Sequence, residues 1–159
     1  MGLTELPFGL PGRIYRSPMP FGTYDVDGNV FAAYKNQSVS VIVVLAEKTE
    51  CFQKANRDLE ALYRTESWIV LSSPIPDFGI PDIQDIQKTL NSTIEFAQAS
   101  RNVAVHCSAG IGRTGLFMAL LARKILSHSG EEAITWVREY IPHAVETPDQ
   151  NKFVTSFNF

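Results

Sequence analysis

The sequence is poor in cysteine. Its 159 residues include two, Cys51 and Cys107, which excludes a disulfide-built scaffold and points to free thiols in a reducing compartment. Histidine is also scarce: His106, His128 and His143 fall at no metal-ligand spacing, and there is no Cys-x-x-Cys pair, so neither a metal nor another cofactor is expected. Long apolar runs are missing. Val41–Ala46 and Gly115–Ala122 have the lengths of a buried strand and a buried helix, far short of a bilayer span. No basic segment leads into an apolar one at the N-terminus, so no secretory signal is expected. Neither sign of charge dominates; the formal net charge of -3 argues against wholesale capture of nucleic acid or of an anionic membrane. Repeats and low-complexity tracts are absent. The expectation is a cytoplasmic, monomeric protein whose 45% apolar content suits a single domain over residues 1–159.

Glycine and proline crowd residues 1–30 (Pro7, Gly9, Pro11, Gly12, Pro18, Pro20, Gly22, Gly28), which predicts loops around a short strand near Arg13–Tyr15. The rest, 31–159, reads as the core. Val39–Leu45 is β-branched and continuously apolar, as a strand covered on both faces should be. Cys51–Arg64 predicts a helix with Phe52, Ala55, Leu59 and Leu62 on one side, and Trp68–Leu71 a second buried strand. Ser72–Asp82 carries three prolines and a glycine and must be a loop. Asp82 can cap the helix that follows, with Ile83, Ile86, Leu90, Ile94 and Ala97 at helical spacing. Val103–Val105 is a third strand, and Leu116–Ile125, apolar nearly all round, a central helix. Ser129 and Glu132 form a capping box for a helix that Pro142 ends, and Thr147-Pro148 opens a last one. Alternating strands and helices predict an α/β domain with a central, mainly parallel sheet of about four to five strands flanked by helices. Ligands in such sheets bind beyond the carboxyl ends of the strands, where the turn from Val105 to Arg113 lies.

That turn carries the chemistry. His106-Cys107-Ser108-Ala109-Gly110-Ile111-Gly112-Arg113-Thr114-Gly115 is a strand end, a tight loop and the start of a buried helix. Successive N–H groups from Ser108 to Arg113 can face one concavity, with the helix dipole adding positive potential. Gly110 and Gly112 permit the tight turn, and Arg113 offers a two-pronged donor to phosphate oxygens. Helix starts and nearby cations lower a cysteine pKa from about 8.5 to roughly 3.5–7.5, so Cys107 is expected as a thiolate nucleophile. His106 precedes it on a strand and should point away from it, orienting the loop from behind.

These ten residues resemble the signature of the protein tyrosine phosphatase superfamily: His-Cys, five residues, Arg, then Ser or Thr. The loop is similar to that of the tyrosine-specific members, and the chain length to the compact dual-specificity group or its small prokaryotic relatives. The resemblance covers roughly Val39–Phe157. It implies the cysteine phosphatase fold and hydrolysis of a phosphorylated protein or peptide through a phosphocysteine, with substrate held by Ser108, Ala109, Gly110, Ile111, Gly112 and Arg113. It implies that Asp77, in the proline-rich loop, is the general acid and then the base for water. Asp82 competes for that role but is well explained as a helix cap. By the same resemblance Thr114 donates to the sulfur as it leaves, and Gln150 positions the hydrolytic water. Glu146 stands where tyrosine-specific members carry another Gln, and His143 where small relatives have Gly after Arg-Pro. Arg16 reads as a solvated loop arginine, and Cys51 either as a buried thiol or as a resolving partner for Cys107. The rivals are a phosphate-binding module without turnover and a phosphatase of inositol lipids or RNA 5′-phosphates; the loop's lack of lysine and the net charge of -3 count against the last two.

Overall fold

The computed structural model describes residues 2–159; Met1 lies outside them. In chain order the described residues form β1 (Thr4–Leu6), β2 (Ile14–Ser17), α1 (Asn29–Asn36), β3 (Val39–Val44), α2 (Lys48–Ala55), α3 (Leu59–Thr65), β4 (Ile69–Ser72), α4 (Ile83–Gln98), β5 (Asn102–His106), α5 (Gly112–Ile125), α6 (Gly130–Tyr140) and α7 (Pro148–Ser156). The five strands make one sheet in the order β1-β2-β5-β3-β4, parallel except for β1 against β2. β5 is therefore central, and its end stays in register with both neighbours: His106 pairs with Ser17 on one side and Val44 on the other.

Strand alternation divides the core into two layers. Val41, Val43, Val103 and Val105 face a cluster with Leu90 of α4, Leu116–Ala122 of α5, Val137 of α6 and Val154 of α7. Ile42, Val44 and Ala104 face a cluster with Tyr34 of α1, Cys51 of α2 and Tyr63 of α3. Every residue from Leu116 to Ala122 is 0% exposed, so α5 runs through the middle of its layer. At the other end of the chain, the capping boxes at Ser129 and Thr147 form as the sequence predicts, and Asp82 caps α4 by accepting from Asp85 N at 2.9 Å.

Some expectations are corrected. Cys51–Arg64 is not one helix: Asn56 adopts a left-handed backbone that ends α2, and Asp58 caps α3 by accepting from Ala61 N. Phe52 is 45% exposed, and Cys51 is buried beside the expected Ala55 and Leu59. The loop-rich start contains β1, and α1 begins at Asn29, just inside it. β4 is an edge strand of intermediate burial. Among the described residues, no helix is long and apolar enough to cross a membrane.

Candidate active site

The alternation of β5 continues into the residues beyond it. Cys107 falls on the α5 side with Val105, and His106 on the α3 side. His106 is fully buried; its Nε2 lies 2.8 Å from Tyr63 Oη and its Nδ1 3.1 Å from the Cys107 carbonyl. A carbonyl accepts but cannot donate, so Nδ1 carries a proton and the neutral ring accepts from Tyr63. Burial pushes the imidazole down to about 4, although the bond to Cys107 opposes it. Hence the unfolded chain, with an ordinary value of 6.5, binds a proton that the folded one refuses between those values. The contribution is present above pH 6.5 and lost as pH falls through 4, about 3 kcal/mol in all. Urea unfolding across that window is expected to show the loss, and His106→Asn to flatten it; an unchanged slope in the variant would refute the assignment.

The loop from Ser108 to Arg113 is shaped from outside. Ser108 O accepts from Met19 N at 2.8 Å. Arg16 Nη2 donates to Ala109 O at 2.9 Å and to Gly110 O at 2.8 Å, and its Nε to Gly110 O at 3.1 Å. Peptide planes whose carbonyls are bound on the outer side present their N–H groups to the inner one. Arg16 is thus no solvated loop arginine: it is 3% exposed, and burial lowers its pKa while the charge of Cys107 raises it. Gly110 is required here, with φ at +74° and a hypothetical Cβ only 2.3 Å from Ser17 O.

Cys107 is 3% exposed, and Thr114 Oγ1 donates to its Sγ at 3.2 Å. Arg113, 2% exposed, is bound on several sides. Its Nη1 and Nη2 each donate to one oxygen of Glu50 at 2.8 Å, Nη1 also to Ile75 O at 3.0 Å, and Nη2 lies 3.1 Å from Asp77 Oδ1. Burial would lower its pKa, but the Glu50 bonds and the charge of Cys107 raise it, so it is permanently cationic. Glu50 also accepts from Lys54 Nζ at 3.0 Å, and Lys54 donates onward to Ser108 Oγ at 2.8 Å. Burial would raise the Glu50 carboxyl; its bonds to Arg113 and Lys54 prevail and hold it at about 2.

The predicted residues mostly converge on one pocket of about 120 Å³. Cys107, Ser108, Ala109, Gly112 and Arg113 line it from the loop, Asp77 from the proline-rich segment, and Lys54 and Glu146 supply further charges. Tyr24 and Phe78, 54% and 60% exposed, add aromatic surface. Others fall elsewhere. Ile111 lines a separate cleft with Arg16 and Tyr140, and Gly110 forms the tight turn; the part expected of both is a backbone N–H. His143 lines outer clefts on the same side. Gln150 is fully buried one layer behind the pocket, because its amide completes the α7 capping box: Oε1 accepts from Glu146 N at 2.9 Å and Thr147 N at 3.3 Å, and Nε2 donates to Gly79 O at 3.1 Å. It ties the proline-rich loop to the turn before α7, and Glu146 faces the pocket in its place. Cys51 is a free buried thiol in the opposite core layer from Cys107, pushed up to about 12 by burial and then by the Glu50 charge.

Sequence reasoning missed Glu50, Lys54 and Tyr24. The first two form an i,i+4 pair on α2 that looks like any solvated helix pair. No local signal marks them as pocket residues.

Comparison with known proteins agrees with this geometry. A family model described as "Polymorphic toxin system, DSP-PTPase phosphatase" matches residues 22–127. The dual specificity protein phosphatase CDC14C of Symphalangus syndactylus is 32% identical over 124 residues, 76% of this chain and 23% of that protein. The chain also spans about half, 56% and 52%, of two uncharacterized proteins of Methanocaldococcus jannaschii that it matches. Kinase associated phosphatase (KAP), crystallised with serine for its catalytic-site cysteine, shares the fold at a TM-score of 0.88 and 21% identity, over 98% of this chain and 92% of that one. Tk-PTP in its active form gives a TM-score of 0.79 at 25% identity, over 97% and 95%.

Proposed function

Since the chain belongs to the DSP-PTPase phosphatase family within the protein tyrosine phosphatase superfamily, we propose that it hydrolyses phosphotyrosine in proteins or peptides through a covalent phosphocysteine. Cys107 Sγ attacks phosphorus, the ester P–O bond breaks, and Asp77 passes its proton to the leaving phenol oxygen. Arg113 and the loop amides hold the phosphoryl oxygens as charge builds on them. Thr114 stabilises the sulfur when it leaves again. The observation that carries this reading is the Cys107 sulfur, 3.2 Å from Thr114 Oγ1, in one pocket with Arg113 and Asp77. The enzyme acts as a monomer, one domain over residues 1–159, and its two free thiols suit the cytoplasm.

The pocket's charges support a single phosphate monoester over a polyphosphate: Lys54 and Arg113 are matched by Asp77 and Glu146, leaving no surplus cation. Tyr24 and Phe78 supply apolar faces for a phenol ring, a partner that phosphoserine lacks. A panel of one peptide phosphorylated on Tyr, Ser or Thr, beside an inositol phospholipid and a 5′-phosphorylated RNA, tests this. Phosphotyrosine is expected to lead in kcat/KM by about tenfold or more, the worth of a ring against an apolar wall. A lead by lipid or RNA overturns the substrate class, and binding without release of phosphate overturns the reaction.

A further inference from the structure

We propose that Glu146 is the base that activates water in the second half of this reaction, the role that the family resemblance would assign to Asp77; the inference rests on the phosphocysteine reading above. The two carboxylates reach the pocket from separate elements, Asp77 from the loop after β4 and Glu146 from the turn before α7. Glu146 lies against the start of α5: a Cβ built on Gly112 would sit 2.1 Å from its Oε1 and 3.0 Å from its Cδ. Gly112 immediately precedes Arg113 and shares the pocket with Cys107. The carboxylate therefore rests at the phosphate-binding loop, on an exposed residue that water reaches.

Its mounting is firm and its oxygens are uncommitted. The Glu146 N–H is held by Gln150, and Arg138 fixes the preceding backbone by donating to Ala144 O at 2.8 Å and Val145 O at 3.1 Å. Among the described residues, neither a hydrogen bond nor an ion pair occupies the Glu146 side chain. Both oxygens are open to water. Asp77 differs: its Oδ1 is the partner of Arg113 Nη2 at 3.1 Å, so after giving up its proton it stays as that guanidinium's counter-ion.

Water also has a route to Glu146. The residue is shared by the phosphate pocket and by two open clefts, of about 490 Å³ beside Arg138 and His143 and about 340 Å³ beside Arg138 and Asn151. A solvent molecule entering from those clefts meets this carboxylate on its way to the phosphorus. In the step itself, a water O–H bond breaks and its proton goes to the Glu146 carboxylate. The water oxygen bonds phosphorus, and the P–S bond breaks with its electron pair left on Cys107, where the Thr114 hydroxyl donates to it. Inorganic phosphate departs, and Glu146 returns the proton to solvent.

Rapid-mixing kinetics with an aryl phosphate separate the roles. Glu146→Gln and Glu146→Ala are expected to release one equivalent of phenol at the wild-type rate, then turn over about 10²-fold more slowly, the lower end of what a general base supplies. Acid quench should trap phosphocysteine in both, and kcat and KM should fall together with kcat/KM nearly unchanged. Asp77→Asn should slow the burst, most for weakly acidic phenols, without accumulating phosphocysteine. Steady turnover of Glu146→Gln within about threefold of wild type, or faster than it, or phosphocysteine accumulating in Asp77→Asn, overturns the proposal while the phosphatase reading stands. A wild-type protein that releases no phenol sinks that reading and this one with it.

Discussion

Cys107→Ser is expected to release no measurable phenol from an aryl phosphate, a loss on the order of 10³-fold or more. The thiol is matched to a site in which the side chain bonded to it is a donor. A serine hydroxyl would need a partner to take its proton, and neither Thr114 nor His106 serves: Thr114 Oγ1 donates toward position 107, and His106 turns its ring to Tyr63 and to the backbone carbonyl. The imidazole, pushed down to about 4, is also a poor proton acceptor at neutral pH, and burial is the cause. Oxyanion binding should survive, because the loop amides and Arg113 do not depend on sulfur. The variant should therefore still bind phosphotyrosyl peptide by calorimetry and hold it without turnover. Activity within about tenfold of wild type would mean that some other group attacks phosphorus, and the phosphocysteine route would fall.

The part of this site written in consecutive residues was legible; the part assembled from distant ones was not. From Val103 to Gly115 one strand, one loop and one helix follow each other, so period, glycine positions and chemistry could be read together. The same holds for Asp82 and for the boxes at Ser129 and Thr147, where cap and partner lie within one turn. α1 escaped because its N-cap is Gly28, whose backbone is left-handed and which has no side chain to accept; Asp25 accepts from Val30 N instead, from outside the usual position. The split between α2 and α3 was written in Asn56 and Asp58, a left-handed stop and a cap, but the apolar spacing across them masked it. Arg16 and Glu50 illustrate the harder case. Each meets the loop across more than sixty positions of chain, 94 for Arg16 to Gly110 and 63 for Glu50 to Arg113. Only the sheet order, which sets β2 and β3 on either side of β5, brings them there.

Arg113→Lys is expected to lower kcat/KM by on the order of 10³-fold, about 4 kcal/mol of transition-state stabilisation, with the fold retained. The reason is that this guanidinium organises the site before any phosphate arrives. One planar group satisfies both oxygens of Glu50, the Ile75 carbonyl and the Asp77 carboxylate, so it joins α2 and the proline-rich loop to the start of α5. A lysine presents a single point charge on a flexible stem and cannot span those partners at once. Loss of the bonds to Ile75 and Asp77 frees the loop that carries the acid, and a point charge does not replace the planar donor at the phosphate. Glu50→Gln isolates the first contribution: it keeps the shape and the arginine but weakens the hold, so the expected loss is nearer tenfold. It should also change acid stability. The Glu50 carboxyl, held at about 2 against an ordinary 4.5, stabilises the fold above pH 4.5 and loses that effect as pH falls through 2, a window below that of His106. Equal losses in Arg113→Lys and Glu50→Gln would place the whole effect in the ion pair. A lysine variant within tenfold of wild type would instead show that the site needs a positive charge at this position and not a fork.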